Sequence, residues 1–232
     1  MATTDIAIVT VTWARDPAEA ALIAAALELL AGAGAPVIVA DRTGSPAFTA
    51  RLAGVGVRLV TPAGPGLVAQ VQAAAAAAAS LGTRFLLYTE PDKQAFFRDS
   101  LPGFLARAPR GDDVGVVLAA RTDESFATFP PMQRYVETVV NTLCGQLTGV
   151  SADYSYGPFL LHRNLLPHIG RMPAEVGWGW RPSTFLAAHR QGLRIIPIAA
   201  ELPCPSDQRR EDDADRSHRL RQLSQNVRGL VD

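Results

Sequence analysis

The first ninety or so residues repeat one pattern, a short apolar β-branched run followed by a helix-length segment. "DIAIVTVTW" is apolar nearly throughout, which predicts a central strand covered on both faces. "DPAEAALIAAALELLAGAG" predicts a helix: Asp16 caps it, Pro17 takes the first helical position, Glu19 sits in the first turn, and glycines end it. "APVIVAD", a short helix through "AFTARLAGVG", the strand "VRLVTP", an alanine-rich helix from "AGPG" to near Gly82, and "RFLLYTE" follow in turn. The order β-α-β-α-β-α-β restricts the fold to α/β with a mainly parallel sheet and right-handed crossovers.

After Lys93 the alternation weakens. "QAFFRDSLPGFLARAP" predicts a helix interrupted by proline, "VGVVLAAR" a strand ending at Arg121, and "PPMQRYVETVVNTLCGQLTG" a long amphipathic helix. On that helix Gln133, Arg134 and Glu137 fit a solvated face. "YGPFLLHR" and "LRIIPIAAE" predict two more strands, and "GWGWRPSTFLAAHRQG" a loop feeding a helix. The charged tail ends in a helix with Leu220, Leu223 and Val227 on one face. At 232 residues the expectation is a single domain, with residues 1–93 as a nucleotide-binding half and 94–232 as an acceptor-side half.

Zero formal net charge argues against a nucleic-acid partner held by bulk charge. Cys144 and Cys204 lie far apart and suggest neither a disulfide framework nor a zinc site. "MATTDIAIVTVTW" has no basic leader segment, and the longest apolar run is too short and too weakly apolar to span a bilayer. These features predict a cytoplasmic protein without a membrane span.

In open parallel sheets ligands bind beyond the carboxyl ends of the strands. That rule singles out Trp13 and Arg15 after the first strand and Asp41 after the second, where its carboxylate suits a ribose or a base. It also singles out the "AGPG" loop with Gly66 at a helix start, which suits an anion. After the fourth strand comes "EPDK". Glu90 and Asp92, two apart on an extended segment, would point to one place, with Pro91 stiffening the spacing. Paired hard oxygens suit Mg²⁺ or Mn²⁺, which in turn neutralises phosphates. Lys93 beside them is the only lysine in a chain otherwise rich in arginine. Trp178 and Trp180 in "GWGWRP" would share one face as a sugar-stacking platform, or else form core tryptophans in a tight turn.

The order of elements, the acid pair after the fourth strand and "VADRTGS" after the second resemble a nucleotide-sugar glycosyltransferase of the GT-A, Rossmann-like fold. The likeness is to family 2-like enzymes, and most to retaining mannosylglycerate synthase-type members. That family ends the fourth strand in Asp-x-Asp, which holds a divalent metal and the donor's diphosphate. Here Glu90 replaces the first Asp, so the resemblance makes Asp92 the surer metal ligand. It also implies a metal-binding histidine in the C-terminal region, matched by His218 with the phosphate-clamping Arg219 beside it, and an arginine after the next strand, matched by Arg121. Asp153 and Tyr156 in "DYSYGPF" then fall on the acceptor side, with the two tryptophans. The implied catalytic set is Asp92, Arg121 and Asp153, and the cofactor is Mn²⁺ or Mg²⁺. The implied partners are a UDP- or GDP-linked sugar and a small hydroxylated acceptor. The amphipathic helix at 131–148 offers a surface for a homodimer. Two alternatives stay open: a sugar-phosphate nucleotidyltransferase, against which "TWARDPAEA" lacks the glycine-rich loop, and a non-catalytic nucleotide-binding member.

Overall fold

The structure is a computed structural model that describes residues 5–231. In chain order its elements are β1 (Ile6–Thr12), α1 (Pro17–Ala31), β2 (Val37–Asp41), α2 (Pro46–Val55), β3 (Arg58–Val60), α3 (Leu67–Ala79) and β4 (Phe85–Thr89). Then come α4 (Leu101–Arg107), β5 (Val114–Arg121), α5 (Asp123–Ala127), α6 (Pro131–Thr148), β6 (Phe159–His162), α7 (Leu166–Ile169), α8 (Trp180–Arg190), β7 (Arg194–Ala200) and α9 (Asp213–Val231). They form two compact units, Met1–Ala106 with Pro158–Ala174, and Arg107–Gly157 with Glu175–Asp232. The first unit thus runs past residue 93 and takes in the β6 segment.

In the first unit the strands lie in the order β3-β2-β1-β4-β6. The first four are parallel, with Ile8 opposite Val37 on one side of β1 and Ile6 opposite Phe85 on the other. β6 runs antiparallel to β4, and Tyr88 faces Phe159 with ring centroids 5.4 Å apart. As its apolar run predicts, β1 is buried at nearly every position. Asp16 caps α1 by accepting from the Glu19 amide at 2.9 Å, with Pro17 next to it. The alanine-rich α3 lies against β1 and β2, and its buried Ala74, Ala75, Ala77 and Ala78 permit the close approach. Gln72 on α3 donates to the carbonyls of Ile169 and Met172, both at 3.0 Å, and pins the segment after β6 to this unit. The proline interruption takes the form of a π turn over Phe96–Ser100 leading into α4, where Pro102 has no amide to donate.

In the second unit β5 pairs parallel with β7, from Val114 opposite Arg194 to Arg121 opposite Ala200. α8 covers both strands, and α9 packs on α6 and α8. Two expectations change here. Gln133 and Glu137 of α6 are buried, because they join a polar network described below. On α9 the packed positions are Gly229 and Leu230, while Leu220 and Val227 are exposed. Gly229 sets that helix's rotation, since a Cβ on it would collide with the Gly179 carbonyl. Among the described residues no helix is long and apolar enough to cross a membrane.

Candidate functional site

The connection from β1 leads outward to β2, whereas β4 is followed by chain on the opposite side of the sheet order β3-β2-β1-β4-β6. The carboxyl ends of β1 and β4 therefore lie side by side on neighbouring parallel strands, and in open parallel sheets ligands bind beyond such strand ends. Trp13 and Arg15 follow β1, and Glu90–Lys93 follow β4.

The β1 side is braced by a compact polar knot. Asp41 Oδ1 accepts from Thr12 Oγ1 at 2.8 Å, Thr43 Oγ1 at 2.8 Å and the Thr43 amide at 3.1 Å. Thr43 Oγ1 in turn accepts from the Ala14 amide at 2.9 Å. Asp41 Oδ2 has no protein partner among the described residues, so it keeps acceptor capacity for a ligand N–H or O–H. Behind this knot the buried Gln70 amide donates to the carbonyls of Thr12 and Ala40, at 2.8 and 3.0 Å, where β1 and β2 end. Trp13 itself is 63% exposed, an unusual state for an indole in a rigid strand end. Arg15 bonds Glu19 through its Nε at 2.9 Å and lies in solvent, and Glu19 lowers its own carboxyl pKa by that contact. Gly66 begins α3 with φ 94°, a conformation that favours glycine, and no side chain caps the helix there.

The β4 side departs from the extended geometry expected for Glu90 and Asp92. The Lys93 amide donates to the Glu90 carbonyl at 3.2 Å, so Glu90–Lys93 is a turn with Pro91 at its second position. Glu90 is half-buried, whereas the Asp92 side chain is 52% exposed and pairs with Lys93 Nζ at 2.8 Å. Among the described residues no group of three His, Cys, Asp or Glu side chains is placed to hold a metal. The donor set at this turn fits a cation that draws most of its ligands from a diphosphate and one from Asp92, as Mg²⁺ commonly does.

In the second unit the expected catalytic pair is turned inward. Arg121, with a side chain 1% exposed, bonds Asp153 through Nε at 2.7 Å and Nη2 at 3.0 Å, and Glu137 through Nη2 at 2.7 Å. Its guanidinium also lies 4.7, 4.4 and 5.4 Å from the ring centres of Phe126, Phe129 and Tyr156. Burial works against both charges, yet each offsets it for the other. Asp153 is held down at about 2, and Glu137 and Asp153 keep Arg121 above its ordinary value. These groups form a buried polar hub. Tyr156, expected on the acceptor side, packs against it at 9% exposure.

The tryptophans do not share a platform. Trp180 opens α8 in the core at 1% exposure, while Trp178 is half-buried and its amide donates to Gln225 Oε1 at 3.0 Å. The chain kinks between them and the preceding residues at Gly177, φ 52°. His218 is exposed on α9, and partial desolvation together with Arg219 and Arg221 depresses its pKa. Arg219 donates to Gln133 at 2.8 Å and Gln222 at 3.0 Å, so it braces α9 against α6. Glu211 accepts from the Met132 and Gln133 amides at 3.1 and 3.0 Å and caps α6. Gln70 and Thr12 were not singled out by sequence, because polar residues inside apolar runs carry no periodic signal, nor were Thr43 and Glu211, which sit among other polar residues in a turn and a charged tail.

No protein-family model matches the chain, and no curated protein matches it. Solved structures do. Glucosyl-3-phosphoglycerate synthase from Mycobacterium tuberculosis, in complex with Mn²⁺, UDP and glucosyl-3-phosphoglycerate, is 15% identical with a TM-score of 0.63, over 97% of this chain and 78% of that one. The same synthase with Mn²⁺, UDP-glucose and phosphoglyceric acid is 17% identical with a TM-score of 0.66, over the same shares. A further mycobacterial protein is 17% identical with a TM-score of 0.70, over 97% of this chain and 73% of that one. The fold is therefore that of GT-A-like nucleotide-sugar glycosyltransferases. Two of the three matches named above are structures of glucosyl-3-phosphoglycerate synthase.

Proposed function

We propose that the protein is a glycosyltransferase that moves a hexose from a nucleoside-diphosphate sugar to a small hydroxylated acceptor with a divalent cation. The observation that carries this reading is the pair of neighbouring strand ends, β1 with an exposed indole on a braced end and β4 with an exposed carboxylate on a proline-stiffened turn. Trp13 offers a stacking face for the base, and Asp41 Oδ2 an acceptor for the base or ribose. Gly66 lets the start of α3 approach the diphosphate, and Asp92 gives the cation one ligand. Bound there, Mn²⁺ or Mg²⁺ would offset the charge that develops as the diphosphate leaves. UDP is the first nucleotide to test and UDP-glucose the first donor, because the matched synthases were solved with them.

We infer a retaining course: Asp153, the carboxylate expected in the catalytic set, is already bonded to Arg121, Asn141 and Ser155 and is not free to take an acceptor's proton. In a retaining course the departing diphosphate accepts that proton.

Thermal melts with UDP, GDP and ADP, each with and without Mn²⁺, test the reading. A nucleotide at a hundred times its Kd adds about 2.7 kcal/mol to the folded state, provided the unfolded chain does not bind it. If no nucleotide raises the melting temperature in Mn²⁺, the transferase reading is wrong.

A further inference from the structure

We infer that Lys93 makes cation binding at Asp92 conditional on the arrival of a diphosphate, so that metal and donor load together. The inference rests on the donor-site reading above and adds a role for the one lysine in the chain.

Lys93 Nζ lies 2.8 Å from Asp92 Oδ2, on a side chain 19% exposed beside a carboxylate 52% exposed. The backbone under the pair is fixed. Its amide closes the Glu90 turn at 3.2 Å, and its carbonyl accepts from the Phe97 amide at 3.1 Å. The side chain carries a compact charge on a flexible four-carbon stem. An arginine there would grip the carboxylate with a planar fork and yield it less readily.

A divalent cation arriving alone meets an Asp92 carboxylate already paired with an ammonium group. Among the described residues no trio of ligands compensates for displacing it. A diphosphate changes both terms. Its oxygens take over the ammonium, which frees Asp92, and they also ligate the cation. Each ligand then raises the other's affinity by the same factor, as linkage requires.

The test measures Mn²⁺ binding by the loss of the free-ion electron paramagnetic resonance signal, in wild type and Lys93→Met, with and without UDP. Lys93→Met should bind Mn²⁺ alone about two- to fivefold more tightly, the range expected on releasing an exposed ion pair. Without metal it should bind UDP more weakly, and UDP should tighten its Mn²⁺ binding by a smaller factor than in wild type. In an Asp92→Asn background the gain from Lys93→Met should vanish, which separates release of this carboxylate from a general loss of positive charge. Lys93→Arg keeps the charge, so it should bind Mn²⁺ alone no more tightly than wild type. If Lys93→Met takes up Mn²⁺ alone no better than wild type, while wild type still binds Mn²⁺ with UDP, the role assigned to Lys93 is overturned and the donor site stands. If wild type with UDP takes up no Mn²⁺, the donor site itself fails and this inference with it.

Discussion

Arg121 and Asp153, thirty-two positions apart, close a two-pronged ion pair in the interior of the second unit, with N–O distances of 2.7 and 3.0 Å. Asp153 starts the segment that leads to Tyr156, and Arg121 ends β5, so the pair fastens that segment to the strand. Arg121→Met would leave the Asp153 and Glu137 carboxylates buried without their cation. The expected loss is about 3–5 kcal/mol, or on the order of 10 °C in melting temperature, read by circular dichroism. A triple variant with Glu137→Gln and Asp153→Asn should recover part of it.

The same pair sets an acid limit. Asp153 is held at about 2 in the folded chain, below the ordinary carboxylate value near 3.8. A lowered folded-state pKa stabilises above the unfolded value and is lost as pH falls through the folded one. The stabilisation is thus complete above about pH 4 and disappears toward pH 2, and amounts to about 2 kcal/mol. Urea melts across this window should show a shallower pH dependence for Asp153→Asn than for wild type.

Asp92→Asn should abolish the Mn²⁺-dependent part of the nucleotide-induced melting shift and leave the melting temperature of the free protein within about 1 °C, because the side chain is exposed. An unchanged shift would remove the cation from this turn.

Trp13 is by far the most exposed of the three tryptophans. Nucleotide binding should quench the long-wavelength edge of the emission, and Trp13→Ala should remove that quenching. The variant should also weaken UDP binding by about tenfold, the scale of one lost base–aromatic stack.

Gln70→Leu would leave the Thr12 and Ala40 carbonyls without their buried donor. The expected loss is about 1–3 kcal/mol in a urea melt, with weaker nucleotide binding because Trp13 and Asp41 stand on those strand ends.

Gly229→Ala reverses the usual sign for a helix interior, where alanine is favoured by about 1 kcal/mol. The new methyl meets the Gly179 backbone, so this variant should melt lower than wild type, whereas Gly103→Ala, with open space around it, should not.

Local chemistry made the first unit legible. Asp16 and Pro17 start α1 and Ser45 and Pro46 start α2, because a side-chain oxygen and a preset φ act within a few residues. The run from Ile6 to Thr12 is apolar on both faces, which admits only a central strand. From such local signals follow the alternating strands and helices of this unit and their parallel pairing.

What needed three dimensions was the fate of each polar side chain. The pattern around Asp153, Tyr156 and Arg121 is equally compatible with an open pocket and a closed hub, and only packing against Phe126 and Phe129 closed it. Spacing made Trp178 and Trp180 look alike, but the kink at Gly177 and the close approach of Gly229 to Gly179 sent Trp180 into the core. Glu90 and Asp92 would align on a strand; the hydrogen bond from Lys93 to Glu90 bends them into a turn and hands Asp92 to the lysine. Short-range propensity determines where elements begin and end, whereas the charge that meets a given charge depends on contacts between segments remote in sequence.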